Sequence, residues 1–198
     1  MIRVGITGKT GSGKSTVSKL MEMKGATILD VDQVAREIVN PPSVILDDIV
    51  KAFGKCVLNE DETLNRKMLG TIVFADKAKL DILNSLTHPA LYNKVETWLS
   101  DAGKEGYDVA VVDAAILIEA NMDKLLDVIV VTHASEDVLI DRIMKRDNLE
   151  YNQAKSRVAA QKSDDFYVSR ADVSVDTTKG LTEDFDGLWN QIIYYGDK

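Results

Sequence analysis

A chain of 198 residues with 45% hydrophobic and 28% charged side chains suits one domain, or one domain with a sizeable insertion, around a well-buried core. Its formal net charge of −8 excludes the basic surface that nonspecific nucleic-acid or anionic-membrane binding needs, but not a small anionic ligand held by a local cluster of amides and cations. A single cysteine, Cys56, excludes an internal disulfide and a cysteine zinc cage, so Cys56 is expected to be a small core residue.

In chain order, Ile2 to Thr7 alternates, is rich in β-branched residues and reads as a first strand rather than a secretory signal. No apolar run approaches the ~20 residues of a membrane span, and a cytoplasmic protein is expected. From Thr7 to Thr16 every residue is Gly, Lys, Ser or Thr, after which Val17, Leu20 and Met21 fall at helical spacing. Ala26 to Asp30 predicts a second strand, followed by a helix through Val34, Ala35, Ile38 and Val39 that Pro41 and Pro42 end. From Ser43 to about Leu99 the apolar spacing is helical almost throughout, and Pro89 is expected to bend or begin a helix. VAVVD (Val109 to Asp113) and VIVVT (Val128 to Thr132) are the continuous apolar runs of strands buried on both faces. Between them a loop with a short helix is expected. Ser135 reads as the N-cap of a helix reaching Arg146. A polar segment to Asp165 follows, then a strand in ADVSVD (Ala171 to Asp176) and a helix from Leu181 to Tyr194, with Trp98 and Trp189 at core spacing on their helices.

Strands alternating with helices predict an α/β three-layer sandwich around a parallel sheet, formed by residues 1–40 and 105–198. Residues 41–100 interrupt the alternation without returning a strand and are read as a helical insertion forming a small lobe.

Gly8, Gly13, Lys14 and Ser15 satisfy G-x-x-x-x-G-K-[ST] between a predicted strand and a predicted helix, the context that phosphate loop requires. Glycines let successive N–H groups converge on a phosphate, and the helix N-terminus adds partial positive charge. Lys14 supplies a mobile cation for the β- and γ-phosphates, and the Ser15 hydroxyl is a natural Mg²⁺ ligand. A nucleoside triphosphate with Mg²⁺ is therefore expected. The alternative is a glycine-rich turn with a chance lysine.

Asp30-Val31-Asp32 closes the second strand, where the tips of a parallel sheet face the ligand crevice. Two carboxylates there can accept a proton from an attacking hydroxyl and order a metal through water. Asp32 is the better base, although an aspartate there can also cap a helix beginning at Gln33. Arg142 and Arg146, four residues apart, share a helix face and lead into a segment, about 142–165, holding Arg157 and Lys162. Such cations stabilise a phosphoryl-transfer transition state when a lid closes; pairing with Asp141 or Asp147 on a solvated helix is the plainer reading. His88 suits a substrate contact or a cap, His133 is expected near the sheet end without a catalytic task, and Asp113 is a metal-ordering acid or a strand terminus.

With these residues placed, the chain resembles the bacterial dephospho-CoA kinase family, which phosphorylates the ribose 3′-hydroxyl of dephospho-CoA with ATP. The likeness runs nearly end to end: VGITGKTGSGKSTV, ILDVDQVAREIV, LNRKMLGTIVF, LTHPAL, the IE of AAILIEAN, RIMKRD, AAQ ending at Gln161, and the AD of ADVSVD. The resemblance implies that Gly11, Ser12, Gly13, Lys14, Ser15 and Thr16 hold ATP phosphates and that Asp32 is the general base. It puts Arg142 and Arg146 in a lid over ATP, and Arg36, Asn65, Arg66 and His88 on the dephospho-CoA side. Two stretches depart from the family pattern. Ala115-Ile116-Leu117 stands where Pro-Leu-Leu is common, and Asp176-Thr177-Thr178-Lys179-Gly180 where Asn-Asn-Gly is common, so no asparagine contact with adenine is expected. Shikimate kinase also pairs a phosphate loop with Asp-x-Asp, but its glycine run is missing here, since no two glycines adjoin. A guanine-nucleotide switch would need Asn-Lys-x-Asp, and Asn93-Lys94 continues Val-Glu inside a predicted helix.

Overall fold

The computed structural model describes residues 1–179 and 185–196. Its chain divides into two compact units, one of Met1–Asp30 with Trp98–Lys198 and one of Val31–Thr97.

The first unit is built on strands β1 (Ile2–Thr7), β2 (Thr27–Asp30), β3 (Val109–Asp113), β4 (Val128–His133) and β5 (Val173–Asp176). They form one sheet in the order β2-β3-β1-β4-β5, every neighbouring pair parallel. Val4 and Ile6 of β1, Val109 and Val111 of β3, and Val128 and Val130 of β4 are buried in one cluster. Helix α1 (Lys14–Met23) adds Val17 and Met21 to it, and helix α9 (Phe185–Gly196) adds Ile192, with Leu188 and Trp189 alongside. Residues of opposite parity point to the other face, where Leu117 and Leu126, flanking the 3₁₀ turn Met122–Leu125, close on Gly5. The sheet is thus covered on both faces, which accounts for strands that read as unbroken apolar runs. Leu181, where the last helix was expected to start, lies outside the described residues.

After β4 come α6 (Glu136–Asp147), α7 (Tyr151–Ala159) and α8 (Asp164–Val168). Ser135 stands at the N-cap of α6 but makes no side-chain cap bond; its N–H instead donates to Thr178 Oγ1 at 3.0 Å.

The second unit holds α2 (Val31–Glu37), α3 (Val44–Phe53), α4 (Arg66–Phe74) and the start of α5 (Lys77–Glu105), which continues into the first unit. Its core gathers Val39, Ile49, Val57, Leu69 and Val73 with Leu80, Leu83 and Leu86. Three sequence expectations change here. Residues 54–65 are not α-helical: Gly54 ends α3, and Asp61 Oδ1 accepts from the Thr63 N–H at 3.1 Å in a turn that lets Leu58 and Leu64 pair as an antiparallel bridge. Cys56 is exposed rather than core, because the 3₁₀ turn Lys55–Val57 turns Val57 inward and leaves the thiol against the Phe53 carbonyl at 3.5 Å. Pro89 lies inside α5, so of the two expected roles it does not begin a helix. Buried Leu91, Val95 and Leu99 follow it, so packing on both sides holds the helix across an interior proline, which costs about 3 kcal/mol.

Candidate active site

In a parallel sheet whose strand order reverses beside β1, ligands bind beyond the strand tips at that point. Here β1 runs into Gly8 and the loop to α1, and the carboxyl-terminal edge carries Asp30 of β2 in register with Asp113 of β3, and His133 of β4 in register with Asp176 of β5.

The loop is shaped by backbone that only glycine adopts comfortably. Gly8 has φ +140°, and a Cβ there would lie 2.1 Å from the Thr132 carbonyl oxygen. That obstacle is main chain and cannot swing aside, so Gly8→Ala is expected to combine backbone strain of about 1–3 kcal/mol with overpacking of about 1–3 kcal/mol. A urea melt checks it; an unchanged midpoint would mean that this approach of β1 to β4 is looser than the geometry requires. Gly13, at φ +93°, is the N-cap of α1 and has no side chain to bond the first turn. A helix start leaves its first N–H groups without intrahelical acceptors. The Gly13 carbonyl accepts from Thr16 N at 3.0 Å and Val17 N at 3.2 Å, and no capping side chain stands before the amides ahead of them.

Lys14 Nζ donates to the Gly8 carbonyl at 2.9 Å and the Lys9 carbonyl at 3.3 Å, folded back over the loop. Ser15 and Thr16 are exposed beside it. Ser12 is fully buried, its hydroxyl 2.6 Å from that of Thr132 and its N–H donating to the Lys9 carbonyl at 3.1 Å. One turn into α1, Ser18 Oγ donates to Asp113 Oδ2 at 2.7 Å, joining the helix to the β3 tip. The oxygen donors here, the Asp30 and Asp113 carboxylates and the Ser15 hydroxyl, suit a hard cation such as Mg²⁺. Among the described residues no three His, Cys, Asp or Glu side chains gather as a metal site.

Both arginines of α6 reach the loop. Arg142 Nη1 donates to the Gly11 carbonyl at 3.1 Å and to Thr177 Oγ1 at 2.9 Å, while Nη2 donates to the Thr177 carbonyl at 2.6 Å. Arg146 Nη2 donates to Thr10 Oγ1 at 3.3 Å, and Asp147, bonded at 2.8 Å, holds its guanidinium further above the usual arginine range despite partial burial. Arg157 also pairs with Asp147, whose carboxyl lies below the usual range, chiefly through the Arg146 hydrogen bond. The surface-helix alternative thus describes only part of Arg146 and none of Arg142, since it is Lys145 that pairs with Asp141.

Sequence reasoning missed three supporting residues. Gln161 Oε1 accepts from the Thr10 N–H at 2.9 Å; its place in the AAQ motif was legible but its contact was not. Thr177, in the stretch 176–180 noted as a departure, donates its hydroxyl to the Ser12 carbonyl at 2.8 Å while accepting from Arg142, and so bridges α6 to the loop. Tyr167 donates to Glu119 Oε1 at 3.0 Å; burial, then the Glu119 charge, push the phenol far up, so it stays a donor at neutral pH.

Asp32 is exposed in the first turn of α2. That helix begins at Val31, not Gln33, so Asp32 is not its N-cap. Arg36 lies in the last turn of the same helix. Its carbonyl accepts from Arg66 Nη2 at 3.0 Å, and burial, then the Arg36 charge, hold the Arg66 guanidinium below the usual arginine range. Asn65 caps α4 through a 2.9 Å bond from Met68 N, and His88 lies within α5.

A sheet in this order, with a glycine loop running from its central strand into a helix, defines a P-loop kinase. The match to known proteins is more specific: the dephospho-CoA kinase family model fits residues 2–183, and the chain belongs to that family. A dephospho-CoA kinase of Geobacter sulfurreducens is 38% identical over 94% of this chain and 96% of its own. One from Corynebacterium efficiens is 36% identical over 89% of this chain and 88% of its own. Among solved structures, TT1252 from Thermus thermophilus superposes with a TM-score of 0.82 at 25% identity, covering 98% of this chain and 96% of that one. A shikimate kinase from Acinetobacter baumannii, at TM-score 0.57 and 16% identity over 98% of this chain and 93% of that one, shares the fold alone. Among the described residues no helix is long and apolar enough to cross a membrane.

Proposed function

We propose that this kinase transfers the γ-phosphoryl group of ATP to the ribose 3′-hydroxyl of dephospho-CoA, releasing ADP and CoA in the cytoplasm. The observation that carries the reading is the loop at the β1 tip: a glycine N-cap, Lys14 folded over it and two arginines of α6 against it. The N–H groups around Gly11 to Thr16 receive the phosphates, and Lys14 exchanges its carbonyl partners for β- and γ-oxygens. Ser15 would hold Mg²⁺, with Asp30 and Asp113 ordering its water. Bound there, the ion neutralises charge on the β- and γ-oxygens.

Asp32 follows the β2 tip by two residues and accepts the proton of the 3′-hydroxyl as that oxygen attacks in line. Arg142 brings its charge against Gly11 even with its N–H groups on carbonyls, and Arg146 is the more exposed of the pair, free to follow a closing segment over about 142–165. The helical insertion, about 41–100, takes the acceptor. Arg66, whose carbonyl partner is Arg36, supports this, because a guanidinium held down by burial and then by a neighbouring positive charge is relieved by an anion such as a nucleotide phosphate. Asn65 and His88 complete the acceptor side.

Purified protein given ATP and Mg²⁺ is expected to form ADP only when dephospho-CoA is present, in step with CoA. ADP formation with shikimate at a comparable rate, or none with dephospho-CoA, would overturn the assignment.

A further inference from the structure

One peptide group in the loop, that joining Lys9 to Thr10, is held at both ends. Its carbonyl accepts from Ser12 N at 3.1 Å and from Lys14 Nζ at 3.3 Å. Its N–H donates to Gln161 Oε1 at 2.9 Å, from a residue 151 positions later. A peptide group is planar, so its carbonyl and N–H turn together. Whatever fixes the N–H also aims the carbonyl on which Lys14 rests. The glycines directly flanking it, Gly8 before Lys9 at φ +140° and Gly11 after Thr10 at φ +80°, leave this stretch of main chain little stiffness of its own.

Gln161 is well placed to supply that stiffness. It ends the turn after α7, its own N–H donating to the Val158 carbonyl at 3.2 Å. The helix just beyond it, α8, is fastened at two points: Asp164 pairs with Lys9 at 3.1 Å, and Tyr167 bonds Glu119. An amide is also the right chemistry for the position, since it accepts an N–H bond without placing negative charge beside a triphosphate.

We infer that Gln161 is a positioning residue for the nucleotide: it orients the Lys9–Thr10 peptide, and through it the resting place of Lys14 and the shape of the cradle, before any phosphate arrives. The inference rests on reading residues 8–16 as the nucleotide cradle. It assigns Gln161 no contact with the reacting atoms.

The test uses the whole protein with Gln161→Met, which keeps length and removes the acceptor, and Gln161→Glu, which keeps an acceptor and adds charge. Calorimetry with ADP and Mg²⁺ reads the cradle without the acceptor substrate, and proton exchange at the Thr10 amide reads the peptide directly. For Gln161→Met, ADP affinity is expected to fall and KM for ATP to rise, each on the order of ten-fold, the size set by leaving a partly buried N–H unpaired. The Thr10 amide should exchange faster by a similar factor, while KM for dephospho-CoA and the urea midpoint stay near the parent's. Gln161→Glu should keep the Thr10 amide slow yet still weaken ADP, by charge. Parental ADP affinity in Gln161→Met, unchanged exchange at Thr10, or equal losses for both substrates with a lowered midpoint would each overturn the inference. A parent protein that binds no ADP would defeat the cradle reading and this inference with it; a parent that binds ADP no better than Gln161→Met defeats the inference alone.

Discussion

Asp32→Asn is expected to cut turnover by about a hundredfold or more while leaving the KM for ATP within a factor of about two, the pattern left by removing a general base. The amide keeps the size of the side chain and cannot take a proton from the attacking hydroxyl. The nucleotide cradle is untouched, since the loop, Lys14 and the α6 arginines are fastened to one another, to β4 and to Thr177 just after β5. Its exposed place in the first turn of α2, away from the N-cap, means that the substitution removes no capping bond. Stability should therefore hold. Steady-state kinetics with both substrates varied decide the matter, and comparable losses in turnover and in ATP affinity would take the base away from Asp32.

Lys14→Ala is expected to damage binding and turnover together, lowering kcat/KM for ATP by about a thousandfold. Lysine charge on the β- and γ-oxygens acts in the ground state and more strongly as charge shifts in transfer, so both constants move. The resting geometry adds a second effect in the nucleotide-free protein, where Lys14 Nζ also ties the Gly8 and Lys9 carbonyls together. Lys14→Arg separates the two effects: it restores charge but not the fit of a compact ammonium between two carbonyls, and should recover only part of the activity. Undiminished turnover in Lys14→Ala would remove the loop from the reaction.

The strands and the loop were legible because their signals are local. Val109 to Asp113 and Val128 to Thr132 are apolar for as long as a buried strand lasts, and Gly8 to Ser15 carries its spacing in one stretch. What stayed hidden depends on which way a side chain turns once distant segments meet. Cys56 and Val57 are neighbours with similar apolar character, and a three-residue turn exposes one and buries the other. Pro89 has the local signature of a helix boundary, but partly buried Leu80, Leu83 and Leu86 before it and buried Leu91 and Leu99 after it outweigh that signature. Thr177 read only as part of a departing stretch, whereas its hydroxyl is the strut between Arg142 and the Ser12 carbonyl. For Arg142 and Arg146 the shared helix face was predictable from spacing; that both touch the loop was not.

A first helix that opens on a bare glycine forgoes the side-chain cap that a serine or aspartate at that point contributes, about a few tenths of a kcal/mol relative to glycine. The triphosphate fills the role instead, so the resilience of this part of the molecule is partly borrowed from its ligand. By mass action the borrowed share grows with the logarithm of nucleotide concentration, reaching about 2.7 kcal/mol at a hundred times the dissociation constant. In a cell rich in ATP the protein is accordingly sturdier than the same chain in plain buffer, and starvation softens it first at the place where it works.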